Sequence, residues 1–278
     1  MRSGAGFFSR WAILGATCGW VMGGWAAYDL LASPIVIYHF DEGTGTTAHD
    51  SVGSAHGAIN GATWTTGKFG YALSFDGADD YVSGDYVSVS SFPSGSYSQL
   101  TVEAWIYPLD KQGKQVLINE QSNDTLWMNF DTYDDDKLGI YLGDTTNKGY
   151  HSSNTAIARN TWSHVAFTYN DITDELKLYI NGQLHRTSTT SGMLNFDTTI
   201  VLGRQDYGDV EFFKGLIDEV AFYNRVLSAE EIRARYLDGP PPGIPEPASG
   251  VLLAVGMALL AGGSALRRKR TTAPLSFP

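Results

Sequence analysis

Between residues 35 and 238, apolar and polar side chains alternate one by one, in short runs broken by turn residues, and almost nowhere recur at helical spacing. Successive side chains on a strand point to opposite faces, so each such run has one face to bury and one to leave wet. Leu100, Val102, Ala104 and Ile106 alternate with Thr101, Glu103, Trp105 and Tyr107; Val165, Phe167 and Tyr169 alternate with His164, Ala166 and Thr168. Leu126, Met128 and Phe130 give another strand, as do Leu138, Ile140 and Leu142, the segment 199–202 and the segment 216–222. Leu176, Leu178 and Ile180 run into Asn181-Gly182, two residues that tolerate positive φ and so close a hairpin. Roughly ten short strands over about 200 residues pack as two antiparallel sheets, face to face. Ser228 can cap a short helix reaching Tyr236, with Glu230 and Glu231 in its first turn. No internal repeat is visible, so this stretch is expected to be one all-β domain with a single C-terminal helix.

Charge is unevenly placed. All 30 acidic residues lie between Arg10 and Arg267, whereas six of the 19 basic ones (Arg2, Arg10, Arg267, Arg268, Lys269, Arg270) lie at the two ends. Thirteen basic groups against 30 acids leave the middle at −17. Such a body repels phosphate backbones and suits cations, so nucleic acid is not an expected partner. The lone Cys18 sits in the N-terminal apolar segment, so the domain is expected to hold together without a disulfide.

The ends read as addresses. Arg2 and Arg10 precede a short apolar run, Trp11 to Val21, and then Gly24 and Ala26, the layout of a secretory signal over residues 1–26. A Pro-rich linker, 239–247, ends in Pro245-Glu246-Pro247. An uncharged stretch from Ala248 to Leu266 follows, long enough as a helix (about 28 Å) to cross a bilayer. Behind it stand Arg267, Arg268, Lys269 and Arg270, which hold that end on the cytoplasmic side. The triplet, span and basic cluster together resemble a PEP-CTERM sorting signal of Gram-negative bacteria, which implies a transient membrane anchor over 248–270 cut by an exosortase. The eight residues after Arg270 depart from that pattern. The protein is expected outside the cytoplasm: periplasmic, at the outer membrane or cell surface, or extracellular.

Six fragments of the body, in order, carry a second resemblance. They are Tyr38-His-Phe-Asp-Glu-Gly-Thr-Gly, Phe75-Asp-Gly-Ala-Asp-Asp-Tyr-Val, Thr101-Val-Glu-Ala-Trp-Ile, Trp162-Ser-His-Val-Ala, Leu178-Tyr-Ile-Asn-Gly and Gly215-Leu-Ile-Asp-Glu-Val-Ala-Phe-Tyr-Asn-Arg-Val-Leu-Ser. They resemble the laminin-G-like, concanavalin A-like jelly rolls, pentraxins among them. The resemblance implies a two-sheet antiparallel jelly-roll sandwich over 35–238 with one concave sheet. It names no ligand, because this fold hosts lectins, adhesion modules and enzymes alike.

An acidic sandwich with oxygen-rich loops is a natural host for Ca²⁺, which takes six to eight oxygens. Asp76 and Asp218 lie near the two ends of the domain and Asp50 is a third carboxylate within reach of the same reading; an ion joining them would clip the terminal strands together. A second set rests on the pentraxin resemblance: Asn123-Asp124 and Gln205-Asp206 fall where pentraxins hold Ca²⁺, with Arg204 in place of a ligating Glu. Asp131-Thr-Tyr-Asp-Asp-Asp lacks the alternate spacing, Gly and distant Glu of an EF-hand and reads as loop charge. His39 and His164 are expected on sheet faces with ordinary partners.

Catalysis finds no support in the sequence. The Glu-x-Asp-x-x-Glu strand of the fold's glycosidases, Gly-x-Ser-x-Gly, Cys/His pairs and phosphate-binding Gly loops are all missing. Trp127, Tyr133, Tyr141 and Tyr150 are candidates to stack sugars on the concave face. The expected function is therefore an exported, non-catalytic module that binds carbohydrate or matrix. The alternatives are a glycan hydrolase or lyase with unconventional carboxylates, and a structural matrix component without a small ligand.

Overall fold

The computed structural model describes residues 33–78, 85–109, 113–120, 126–130 (backbone only), 136–142, 149–205 and 211–239. The alternating runs become strands throughout. In chain order these are Val36–Tyr38 (β1), Thr47–Ala48 (β2), Gly57–Asn60 (β3), Thr63–Thr66 (β4), Tyr71–Asp76 (β5), Tyr86–Val89 (β6), Gly95–Tyr97 (β7), Gln99–Pro108 (β8) and Gln115–Glu120 (β9). Then come Leu126–Phe130 (β10), Lys137–Leu142 (β11), Gly149–Ala156 (β12), Ser163–Asn170 (β13), Glu175–Ile180 (β14), Gln183–Thr189 (β15), Leu194–Phe196 (β16), Ile200–Leu202 (β17) and Lys214–Tyr223 (β18); Ala229–Asp238 is a helix, α1.

The strands pair antiparallel into two eight-stranded sheets. The back sheet runs β15-β14-β13-β8-β18-β5-β4, with β1 also on β18; the front sheet runs β12-β11-β10-β9-β17-β6-β3-β2. A two-stranded ribbon of β7 and β16 completes the fold. Between the sheets lies one core, to which the back sheet gives Leu100, Val102, Val165, Phe167 and Phe222, and the front sheet Val87, Ile118, Ile140 and Leu202. The expected all-β, two-sheet sandwich is what forms. The described residues form 18 strands rather than roughly ten: β2, β7 and β16 are two or three residues long and cannot display a period, and β9 is buried at every residue and so does not alternate. All of it belongs to the unit that begins at Pro34.

The hairpin at Asn181-Gly182 joins β14 to β15 with both residues at positive φ (52° and 71°), as a primed turn requires. At the other end, Ser228 accepts from the Glu231 N–H and the Glu231 carboxylate accepts from the Ser228 N–H, a reciprocal cap that starts α1. Ile232 of that helix is fully buried with Ile37, Ala166, Tyr179, Ala221 and Tyr223 on the outward face of the back sheet. The helix thereby dries a face that alternation alone marks as wet: Thr101, Glu103 and Trp105 are all buried. On the far edges, β12 and β15 meet, where the Asn154 Nδ2 donates to the His185 carbonyl at 2.6 Å. Among the described residues no helix is long and apolar enough to cross a membrane, and residues 1–26 and 240–270 lie outside them.

Candidate functional site

The carboxylates expected to hold Ca²⁺ have other work. Asp50, buried, accepts through Oδ1 from the Ile37 and Val52 N–H groups (3.2 and 3.1 Å) and through Oδ2 from Ala55 N–H (3.2 Å). It ties the loop after β2 to β1. Asp218, wholly buried, accepts through Oδ2 from the Lys68 and Phe69 N–H groups (2.8 and 3.0 Å), pinning the turn between β4 and β5. Asp76 accepts from Ala78 N–H (2.8 Å) and donates its own N–H to Asp85 (2.8 Å).

Nor do they converge. Asp76 pairs with Lys214, so Asp218 stands four residues further along β18, about 13 Å away at ~3.3 Å per residue. Asp50 bonds next to Ile37, which pairs with Ala221, further along again. A single ion cannot take oxygens from all three, and the clip expected from Asp50, Asp76 and Asp218 does not form. Among the described residues no group of three or more His, Cys, Asp or Glu is arranged to hold a metal. Of the second set, Asn123, Asp124 and Asp206 lie outside the described residues. Gln205 follows β17, whose Leu202 pairs with Ile118.

What the back sheet holds instead is a buried acid network that alternation hid. Glu103 accepts from the Tyr223 hydroxyl at 2.7 Å and stands 3.3 Å from His164 Nε2. Glu219 sits at a bulge of β18, at φ 53°, with its carboxylate 2.7 Å from His39 Nδ1. Burial pushes the Asp218 carboxyl up to about 8, against its two backbone hydrogen bonds and helped by the Glu219 charge. Burial raises Glu219 as well, partly offset by His39. Burial works to lower His39, but the hydrogen bond and charge of Glu219 outweigh it and the ring is raised. His39 and His164 thus find partners on sheet faces, as expected, and those partners are acids. With Glu103, Asp218 and Glu219 at most 4% exposed, a large substrate has no route to them. The clue in the sequence was the capped helix itself, which has to cover some outward face.

The front sheet is different. Cross-strand pairing sets Tyr150, Tyr141, Trp127, Asn119, Val201, Ser88, Ala58 and Thr47 in one row, each opposite the next. The neighbouring residues Leu138, Ile140, Leu142, Ile200, Leu202, Val87 and Val89 fill the core, so Tyr141, Val201 and Ser88 in this row belong to the outward face. Three of the four aromatic candidates therefore fall side by side; Tyr133 lies outside the described residues. Tyr150 is 41% exposed, and its hydroxyl end lies in the volume that a side chain at Gly139 would fill, against the backbone of β11. A glycine under an aromatic ring lets it lie down on the sheet rather than stand off it. Asn119 and Val201, at 1% exposure, are covered, so the open part of the row is its Tyr150–Tyr141 end and the Ser88–Thr47 end.

Residues 76–233 match the family model for the concanavalin A-like lectin/glucanases superfamily. The chain belongs to that superfamily. No curated protein sequence matches it. Among solved structures, this concanavalin A-like chain is similar to domain 4 of AbnA, a GH43 extracellular arabinanase from Geobacillus stearothermophilus, in complex with arabinotriose. The identity is 20%, the TM-score 0.57, and 72% of this chain covers 97% of that one. It is similar to the heptameric SAP-like pentraxin of Limulus polyphemus (18% identity, TM-score 0.53, 61% of this chain and 82% of that one). It is also similar to the botulinum neurotoxin serotype D ligand-binding domain in complex with N-acetylneuraminic acid (21% identity, TM-score 0.55, 73% of this chain). The chain spans about half, 50%, of that toxin domain. At these identities the likeness is one of fold.

Proposed function

We propose that the protein is an exported, non-catalytic carbohydrate-binding module that takes a glycan on the outward face of its front sheet. The observation that carries the reading is the exposed Tyr150 laid against Gly139, in register with Tyr141 and Trp127. Sugar rings present a face of C–H groups that packs on an aromatic ring, and burial of that surface supplies the affinity. Solved neighbours in complex with arabinotriose and N-acetylneuraminic acid support a glycan as the class of ligand. A non-catalytic role is supported by the missing Glu-x-Asp-x-x-Glu strand, since glycoside cleavage needs two carboxyl groups flanking one bond.

Binding of the protein to an array of polysaccharides, read with and without Tyr150→Ala, tests this. Binding that falls at least tenfold with an unchanged melting curve supports it. Release of reducing ends that stops on substitution of an acid points to the hydrolase instead, and no binding to any glycan points to a structural matrix component. Ca²⁺ enters as a separate variable of the same array. The sorting reading of residues 245–270 goes with export: intact mass of the mature protein that lacks 248–270 supports exosortase processing, and retention supports a permanent anchor.

A further inference from the structure

We propose that the domain carries a second sugar-binding site on its other flank, built on Tyr71 and selective for neutral sugars, which makes it bivalent. The proposal extends the glycan reading and needs its own evidence, which lies at the β4–β5 hairpin. Tyr71 is 48% exposed, the largest aromatic exposure among the described residues. A side chain at Gly43 would meet three consecutive atoms of its ring, Cε2, Cζ and Cδ2, at 2.8, 2.9 and 3.0 Å. Near-equal distances to three neighbouring ring atoms mean that Gly43 lies under the face of the ring rather than at its edge. Gly43 also has φ 63°, so two independent constraints keep a side chain out of that position.

The ring is held in place as well as bared. Tyr71 N–H donates to Asp41 Oδ1 at 2.9 Å, and Thr66, exposed, pairs with Tyr71 across the hairpin. Glu42, between Asp41 and Gly43, accepts from His49 N–H at 2.6 Å through one oxygen, while its Oε2 is shielded from water without a hydrogen-bond partner. A half-exposed aromatic backed on one ring face by glycine, beside the exposed carboxylate of Asp41, has the two parts that a sugar needs: a stacking surface and an acceptor for hydroxyl donors. The same carboxylate repels uronates, sialates and sulfates, which selects neutral rings.

The two tyrosines stand apart. Tyr150 is on β12, which meets β15 at one edge of the sandwich; Tyr71 is on β5, five strands from β15 in the back sheet, about 24 Å at ~4.8 Å per strand. A short oligosaccharide cannot touch both, so two sites add through avidity on a polymer and through stoichiometry on a fragment.

The test uses the full chain, its Tyr71→Ala, Tyr150→Ala and double variants, and Tyr71→Phe, against immobilised arabinan, dextran and galactomannan with a polyuronate control. Wild-type protein should bind two oligosaccharide fragments of its preferred polymer per chain by calorimetry. Each alanine variant should bind one and leave the polymer surface on the order of 10²-fold faster, and the double variant should bind none. Tyr71→Phe should keep the site. A wild-type stoichiometry of one, with Tyr71→Ala indistinguishable from wild type, overturns the second site and leaves the front-sheet reading standing. Loss of all binding by Tyr71→Ala with Tyr150→Ala silent overturns bivalence and the front-sheet reading together. Preference for the polyuronate overturns the selectivity, and no binding by the wild type overturns both sites.

Discussion

Asp218 shows how far a residue's role depends on what covers it. The sequence marks it as an acid in a family-like motif, and a cation is the natural partner for an acid in an acidic domain. Its partners are two backbone N–H groups, and its carboxyl is raised to about 8. A group whose folded pKa lies above its unfolded one holds its proton in the native state while the unfolded chain has lost it. Its stabilisation is complete below the unfolded value near 4 and is lost as pH rises to about 8, at ~1.4 kcal/mol per pH unit. Glu219, Asp85 and His39 are raised too, so they act in the same direction. Glu231 is lowered, burial opposing and Arg225 prevailing, and the stability it adds is lost only as pH falls below its unfolded value. The melting temperature should therefore fall steadily from pH 5 to pH 8, and Asp218→Asn should flatten that slope; a slope unchanged by the variant would contradict the assignment. Asp50 offers the complementary test. Asp50→Ala strands three backbone donors and should cost about 3 kcal/mol. The cost should be the same in Ca²⁺ and in chelator, as differential melting would show, because those donors are the residue's partners.

At the scale of elements, what was legible is what local chemistry decides. The Asn181-Gly182 turn and the Ser228 cap are set by two to four neighbouring residues, and both form where the sequence puts them. Ser228→Ala should cost about 1 kcal/mol of stability and lower the melting temperature by a few degrees, with the rest of the fold unchanged by circular dichroism. The long strands β8, β13 and β18 were readable because each has at least eight residues over which to alternate. Which distant strands lie side by side was not readable: Asp76 is on β5 and Asp218 on β18, far apart in sequence, and only their pairing register shows that the first calcium set does not converge, while Asn123, Asp124 and Asp206 of the second lie outside the described residues. Trp127, Tyr141 and Tyr150 fall in one row because β10, β11 and β12 are consecutive in both sequence and space and pair in that register. Gly139 and Gly43 were silent, since nothing in a sequence says which side chain a glycine makes room for.

For the molecule as a whole, the two sheets differ in a way that should be visible in exchange. α1 and the back sheet sandwich a second, smaller apolar cluster, so β8, β13 and β18 are buried on both faces; in the front sheet the short β9 and β17 are buried too, but their neighbours β6 and β11 carry half-exposed Tyr86, Ser88 and Tyr141 on the outward side. Polar groups inside that double layer are held by several partners at once: Glu103 by Tyr223 and His164, and Thr101 by donating to the Arg225 carbonyl and accepting from Leu227 N–H. Opening any of these strands exposes apolar surface on two sides and breaks those bonds together, so their amides should exchange only through global unfolding. Amides of β2, β4 and β15, at the sheet edges, need only local opening. Native-state hydrogen exchange should rank β8, β13 and β18 slowest. Ile232→Ala, which removes the fully buried side chain of α1, should cost about 2–5 kcal/mol and speed those three strands while leaving β6 and β11 ahead of them in rate. If the front-sheet strands instead proved slowest, the stable centre would lie between the sheets alone and the helix would be an ornament on a sandwich complete without it.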